Sequence, residues 1–220
     1  MKLRISEIAV IAIIIASIAV GVYFYPLMPE KIASHWNKQG IVNGYLDKFW
    51  GLFLMPLITI AILALMIAIP KIDPLKKNIE EFRKHFDVFI IILGMFLLYI
   101  HCLIILYNLG MQFNMLEFMA PFFGILIFYT GVLIKNARQN WTIGIRTPWT
   151  LSNKEVWDKT HALGGILFKI SGILIVLGSF FPDIAIWLIL VPILASAVIS
   201  MVYSYAVFSR LESKKRKKRN

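Results

Sequence analysis

The stretch "FDVFIIILGMFLLYIHCLIILYN", residues 86–108, decides the fold. It is charge-poor and long enough to cross a hydrocarbon layer of about 30 Å as one helix. Working outward from it, five more runs of the same kind appear: Ile5–Tyr25, Phe49–Ile69, Met115–Lys135, His161–Phe180 and Ile184–Phe208. All must be helices, because lipid offers an open backbone no hydrogen-bond partner. The composition agrees. Of 220 residues, 59% are hydrophobic, and the mean hydropathy is +0.76. That exceeds what an ordinary soluble domain carries.

Two of the spans need an argument. The fifth is interrupted by Lys169, but removing it would put the basic C-terminus on the opposite side from the other basic loops. The first is longer than the ~7–15 apolar residues of a signal peptide and lacks a small-x-small cleavage site at Tyr25-Pro26. It reads as a retained anchor.

Charge sets the orientation. Lys2 and Arg4, the second loop, the fourth loop and the C-terminal tail place nineteen Lys and Arg on one side of the membrane. Only Lys31, Lys38 and Lys48 fall on the other, and Lys169 lies inside a span. Basic residues stay cytoplasmic. The expected architecture is therefore an all-α polytopic cell-membrane protein with six transmembrane helices and both termini in the cytoplasm. A short hairpin-like loop follows helix 1 outside. The expected organisation is a two-helix unit with an outer polar loop (1–70), a four-helix region (71–210) with a cytoplasmic loop at 136–160, and a polybasic tail (211–220).

The net charge of +11 reads as this orientation signal, with a KKRKKR tail lying against anionic lipid, and not as a nucleic-acid footprint. The single Cys102 leaves no disulfide or CxxC-type metal site. No GxSxG, HExxH, paired catalytic carboxylates or phosphate-cradling loop occurs. Nothing points to an enzyme or a cofactor.

Two polar loops break the apolar pattern. In the first, Asn37 and Gly40 suit the ends of a type I turn. Ile32–Trp36 and Ile41–Tyr45 are expected to pair across it, with Trp36, Tyr45, Phe49 and Trp50 at headgroup level. His35, Asn37 and Asp47 supply the polar side chains of either a metal or ligand site or a solvated turn, and the turn is the favoured reading. In the fourth loop, Ser152 and Glu155 fit a capping box that starts a helix near Asn153. Pro148 forces an extended backbone on Thr147. Arg146, with five donors and a permanent charge, stands in a turn bracketed by Gly144 and Pro148. A partner carboxylate, another loop, a lipid phosphate or a helix-end carbonyl would each suit it.

"NWTIGIRTPWTLSNKEVWDKTHALGG", residues 140–165, resembles the signature of the SdpI family of bacterial and archaeal membrane proteins. The matching positions are Asn140, Gly144, Ile145, Arg146, Thr147, Pro148, Trp149, Ser152, Trp157, Thr160, His161 and Gly164. Upstream, "MPEKIASHWNKQGIVNGY", residues 28–45, is similar to a small domain of unknown function that often precedes this region, through Pro29, Ile32, His35, Trp36, Asn37, Gly40, Gly44 and Tyr45. The resemblance implies immunity to a secreted toxin peptide, and a receptor role in which a cytoplasmic repressor is held at the membrane. On that footing Arg146, Trp149, Trp157 and Asn140 are the candidate contacts for a soluble partner. His35, Trp36 and Asn37 are the candidate outer ligand-binding residues.

Polar groups at membrane depth are functional candidates by default. Lys169 shares a helix face with Gly165 and Gly172, where another helix can come close; it either faces protein or snorkels to the interface. His101 lies in the outer half of span three and suits an interhelical hydrogen bond or a proton relay. If both line a path, the alternative function is a small transporter or pore. Small-residue stripes at Ala9, Ala12, Ala16 and Ala19, and at Ser196, Ser200 and Ser204, predict packing faces against the bundle or a second subunit.

Overall fold

The computed structural model describes residues 4–219. Lys2 lies outside the described residues, as do the side chains of Arg216, Lys218 and Arg219. Helix α1 (Ile5–Phe24) is followed by strands β1 (Lys31–Trp36) and β2 (Val42–Asp47). Helices α2 (Lys48–Ile72), α3 (Lys76–Glu81), α4 (Arg83–Asn108) and α5 (Met115–Asn136) come next. The loop after α5 holds the short α6 (Pro148–Ser152), and α7 (Lys154–Gly178) and α8 (Ala185–Arg219) complete the chain. Six of these helices are long and apolar enough to cross a membrane, one for each expected span. The KKRKKR segment continues α8 as helix.

The helices form two groups joined where α4 meets α5: α1, α2 and α4 pack together, and so do α5, α7 and α8. On α1 the packed face is Ser6, Val10, Ile13, Ser17 and Gly21, and the opposite stripe of Ile8, Ile11, Ile15, Ile18 and Val22 is exposed, as lipid contact requires. The alanine stripe is not that packed face. Ala12 and Ala19 are exposed and Ala9 and Ala16 half-buried, because the bulkier Val10 and Ile13 fill the helix interface. On α8 the serine stripe does pack. Ser196, Ser200 and Ser204 are buried, and the Ser196 hydroxyl lies 2.9 Å from that of Ser171 on α7.

Helices α5 and α7 meet backbone to backbone. A Cβ on Gly124 would lie 2.7 Å from the Gly172 carbonyl oxygen, and one on Gly131 would lie 2.6 Å from that of Gly165. No other side chain fits there. Close approach of this kind lets dispersion attraction hold helices together where no hydrophobic effect is available.

The two ends of the bundle differ. At one end Arg4 pairs with Glu80 at 2.9 Å, and Glu7 faces Lys71 at 3.7 Å. This end also holds the fourth loop and the last turns of α8, so the start of α1 and the end of α8 share it. At the other end β1 and β2 pair antiparallel, Ile32 opposite Leu46. The hairpin closes as expected: the Gly40 N–H donates to the Asn37 carbonyl, and the Asn37 side chain accepts from the Gln39 and Ile41 N–H groups. Gly40 takes φ +75°, which a side chain would strain. Ile32 and Met28 anchor the hairpin in a core with Leu52, Leu103, Ile105 and Met115.

Candidate functional site

The fourth loop is tied down from four sides. Asn140 is fully buried, and its carboxamide works at full capacity. Its oxygen accepts from the N–H groups of Thr142 and Ile143, and its nitrogen donates to the carbonyls of Arg138 and Ile143. From the second loop, the buried Asp73 carboxylate accepts from the Trp141 N–H at 3.0 Å and the Thr142 hydroxyl at 2.7 Å. Asn78 donates to the Gln139 carbonyl, and Gln139 in turn donates to the carbonyls of Thr150 and Leu151. From α8, Ser204 lies 3.1 Å from the Thr147 hydroxyl.

Helix α7 supplies the fourth side. His161 is buried; its Nε2 accepts from the Ile145 N–H at 3.0 Å and its Nδ1 lies 2.8 Å from the Trp157 carbonyl. A carbonyl only accepts, so Nδ1 carries the proton and the ring is neutral. Gly144, at φ +116°, passes directly over this ring, leaving no room for a side chain. Trp157 stacks on His161 with ring centres 3.9 Å apart and donates from Nε1 to the Ala137 carbonyl at 2.8 Å.

Thr147 is extended, as Pro148 demands, and its hydroxyl caps α6 by accepting from the Thr150 N–H. The cap of α7 differs from expectation. Asn153, not Ser152, accepts from the N–H groups of Glu155 and Val156. Ser152 is the last residue of α6, and its hydroxyl is turned to the Trp149 carbonyl.

These ties sort the four candidate partner contacts. Asn140 and Trp157 are fully buried and spend their polar groups inside the loop, so neither offers a surface to a partner. Arg146 is exposed; its Nη1 donates to the Trp141 carbonyl at 2.6 Å, which is a loop carbonyl and not a carboxylate. Trp149 is half-buried, its ring 5.1 Å from that of Tyr205. Beside them Trp141 is 53% exposed, a large apolar side chain that the described residues cover only in part. The structure thus brings Arg146 and Trp141, and part of Trp149, onto the outside of one hydrogen-bonded loop.

At the hairpin end, His35 is exposed and hydrogen-bonds Asn43. Trp36 is not a headgroup anchor: it turns inward with its ring 5.3 Å from Tyr107. Asn37 spends its side-chain oxygen on the turn, and Asp47 pairs with Lys31. Next to this turn is a cleft of about 340 Å³ lined by Lys38, Gln39, Asn114, Asp183 and Trp187.

Within the spans, His101 is fully buried and lies 3.1 Å from the Ser17 hydroxyl of α1. Lys169 is half-buried in the seam between α5 and α7, where its stem covers Gly131. It faces a helix of the protein, and it occupies a different helix interface from His101.

Asp73 and Gln139 are the loop-anchoring positions that sequence reading missed, and Ser204, read as a packing residue, also meets the loop. Asp73 acts across 68 residues of chain, and no local pattern signals such a partner.

Comparison with known proteins gives a consistent result. The SdpI/YfhL protein family model matches residues 136–204, and the domain of unknown function DUF1648 matches residues 12–60. The chain is 28% identical over 204 residues to the immunity protein SdpI of Bacillus subtilis (strain 168), covering 91% of this chain and 95% of that protein. No solved structure matches. The first region holds α6, α7 and the ties around Asn140 and His161 and the second holds the hairpin, so the likeness to the SdpI/YfhL family reaches both ends of this multi-pass membrane protein.

Proposed function

We propose that the protein confers immunity of the SdpI type. Its hairpin end meets a toxin peptide or envelope signal outside the cell. Its loop-four end engages a soluble partner, a repressor or another protein, in the cytoplasm. The orientation follows from the basic residues gathered at the loop-four end. The observation that carries this reading is the reach of the likeness, which spans 91% of the chain and so includes the hairpin and the loop together.

The geometry favours the same division of labour. The cleft beside the hairpin turn offers Lys38, Asp183 and Trp187 to a ligand outside. Arg146, Trp149 and Trp141 form the opposite surface. Coupling between the two requires that ligand binding favour one arrangement of the helices over another. A killing assay tests the reading. Cells sensitive to an SdpI-type toxin peptide, and expressing the protein in their membrane, should survive. Death of cells with confirmed expression overturns direct immunity to that peptide.

A further inference from the structure

Where α8 leaves the apolar layer it forms a groove with the first turns of α7, about 420 Å³ in volume. Its floor is apolar at Val207, and Tyr203, Ser209, Lys159, Arg210 and Lys214 line it. Three cations thus surround one concavity, and no carboxylate lines it. Glu155, on the rim, pairs with Lys159 at 2.7 Å, and Glu212 pairs with Lys215. Neither Arg210 nor Lys214 pairs with a carboxylate among the described residues.

The depth of the groove matters as much as its charge. Tyr203 and Val207 belong to the apolar part of α8, and Arg210 opens its polar part. A helix crossing from hydrocarbon to water meets lipid phosphates at that level. Arg presents a fork of donors that matches phosphate oxygens in pairs. Lys214, Tyr203 and Ser209 line the same groove and supply further hydrogen-bond donors.

We propose that this groove binds a phosphate group, carried by an anionic phospholipid or free in solution. The test uses the full chain purified in uncharged detergent. Binding of fluorescent phosphatidylglycerol is compared with that of phosphatidylcholine, with and without inorganic phosphate as competitor. Arg210→Gln with Lys214→Gln should weaken phosphatidylglycerol binding at least about fivefold. Lys215→Gln with Lys217→Gln, which removes equal charge elsewhere on the tail, should leave most of it. Arg210→Lys with Lys214→Arg should retain binding, which separates loss of the site from loss of the fold. Competition by inorganic phosphate assigns the groove to free phosphate, and its absence assigns the groove to the lipid headgroup. Equal losses from the groove pair and the tail pair, or no loss from the groove pair, overturn the proposal.

Discussion

His161 accepts the backbone N–H of Ile145 at 3.0 Å, so a histidine of α7 holds the middle of the fourth loop. The bond exists only while Nε2 is an unprotonated acceptor. His161→Ala leaves that part-buried N–H without its partner, at a cost of about 1 kcal/mol. The loop should then be cut faster in limited proteolysis, with the six helices intact by circular dichroism. An unchanged cleavage rate would show that the other ties hold the loop alone.

Asp73 is the corresponding tie from the second loop. Asp73→Ala removes the acceptor for both Trp141 and Thr142, and each lost bond to a charged group costs about 1.5–3 kcal/mol. Asp73→Asn keeps one oxygen and should lose less. Thermal unfolding in detergent reads the order: wild type, then the asparagine variant, then the alanine variant.

Enlarging the glycine seam should damage the fold from within the bilayer. Gly172→Val would force α5 and α7 apart, because a Cβ there already meets the Gly124 carbonyl oxygen at 2.6 Å. Overpacking of this kind costs about 1–3 kcal/mol. The same change in size at the exposed Ile173, as Ile173→Phe, should be tolerated. Melting temperatures of the two variants decide it.

Arg146 and Trp157 separate partner contact from stability. Trp157→Ala empties a fully buried site and should cost about 3–5 kcal/mol, lowering the amount of protein in the membrane. Arg146→Ala alters an exposed side chain and should leave the amount unchanged while weakening crosslinks from the loop to a cytoplasmic partner. Intact crosslinking by the Arg146→Ala protein would remove Arg146 from the interface.

The spans were legible because membrane helices announce themselves through length and hydropathy, which are local properties. The hairpin was legible for a related reason: Asn37 and Gly40 carry the turn in their own chemistry. The face of α7 bearing Gly165, Lys169 and Gly172 was also readable, since helical spacing puts those residues together. Burial of Asn140 and Trp157 was not readable. Both stand in a polar stretch that looks like surface, and long-range ties such as those from Asp73, Asn78 and Ser204 hold that stretch inward. Ser152 misled because a capping box can be drawn from sequence one residue away from the side chain that does the capping.

The glycine seam has a mechanical consequence. Two helices whose backbones touch cannot rotate about their own axes without a carbonyl striking its neighbour, so α5 and α7 form one stiff beam. Under the coupling proposed above, a push arriving at the hairpin would therefore not reach the loop by twisting either helix alone, and would travel as a tilt of the whole beam against α1, α2 and α4. The clasp of Asp73 on Trp141 and Thr142 bridges those two bodies at the far end, and it is the latch that such a tilt would strain first.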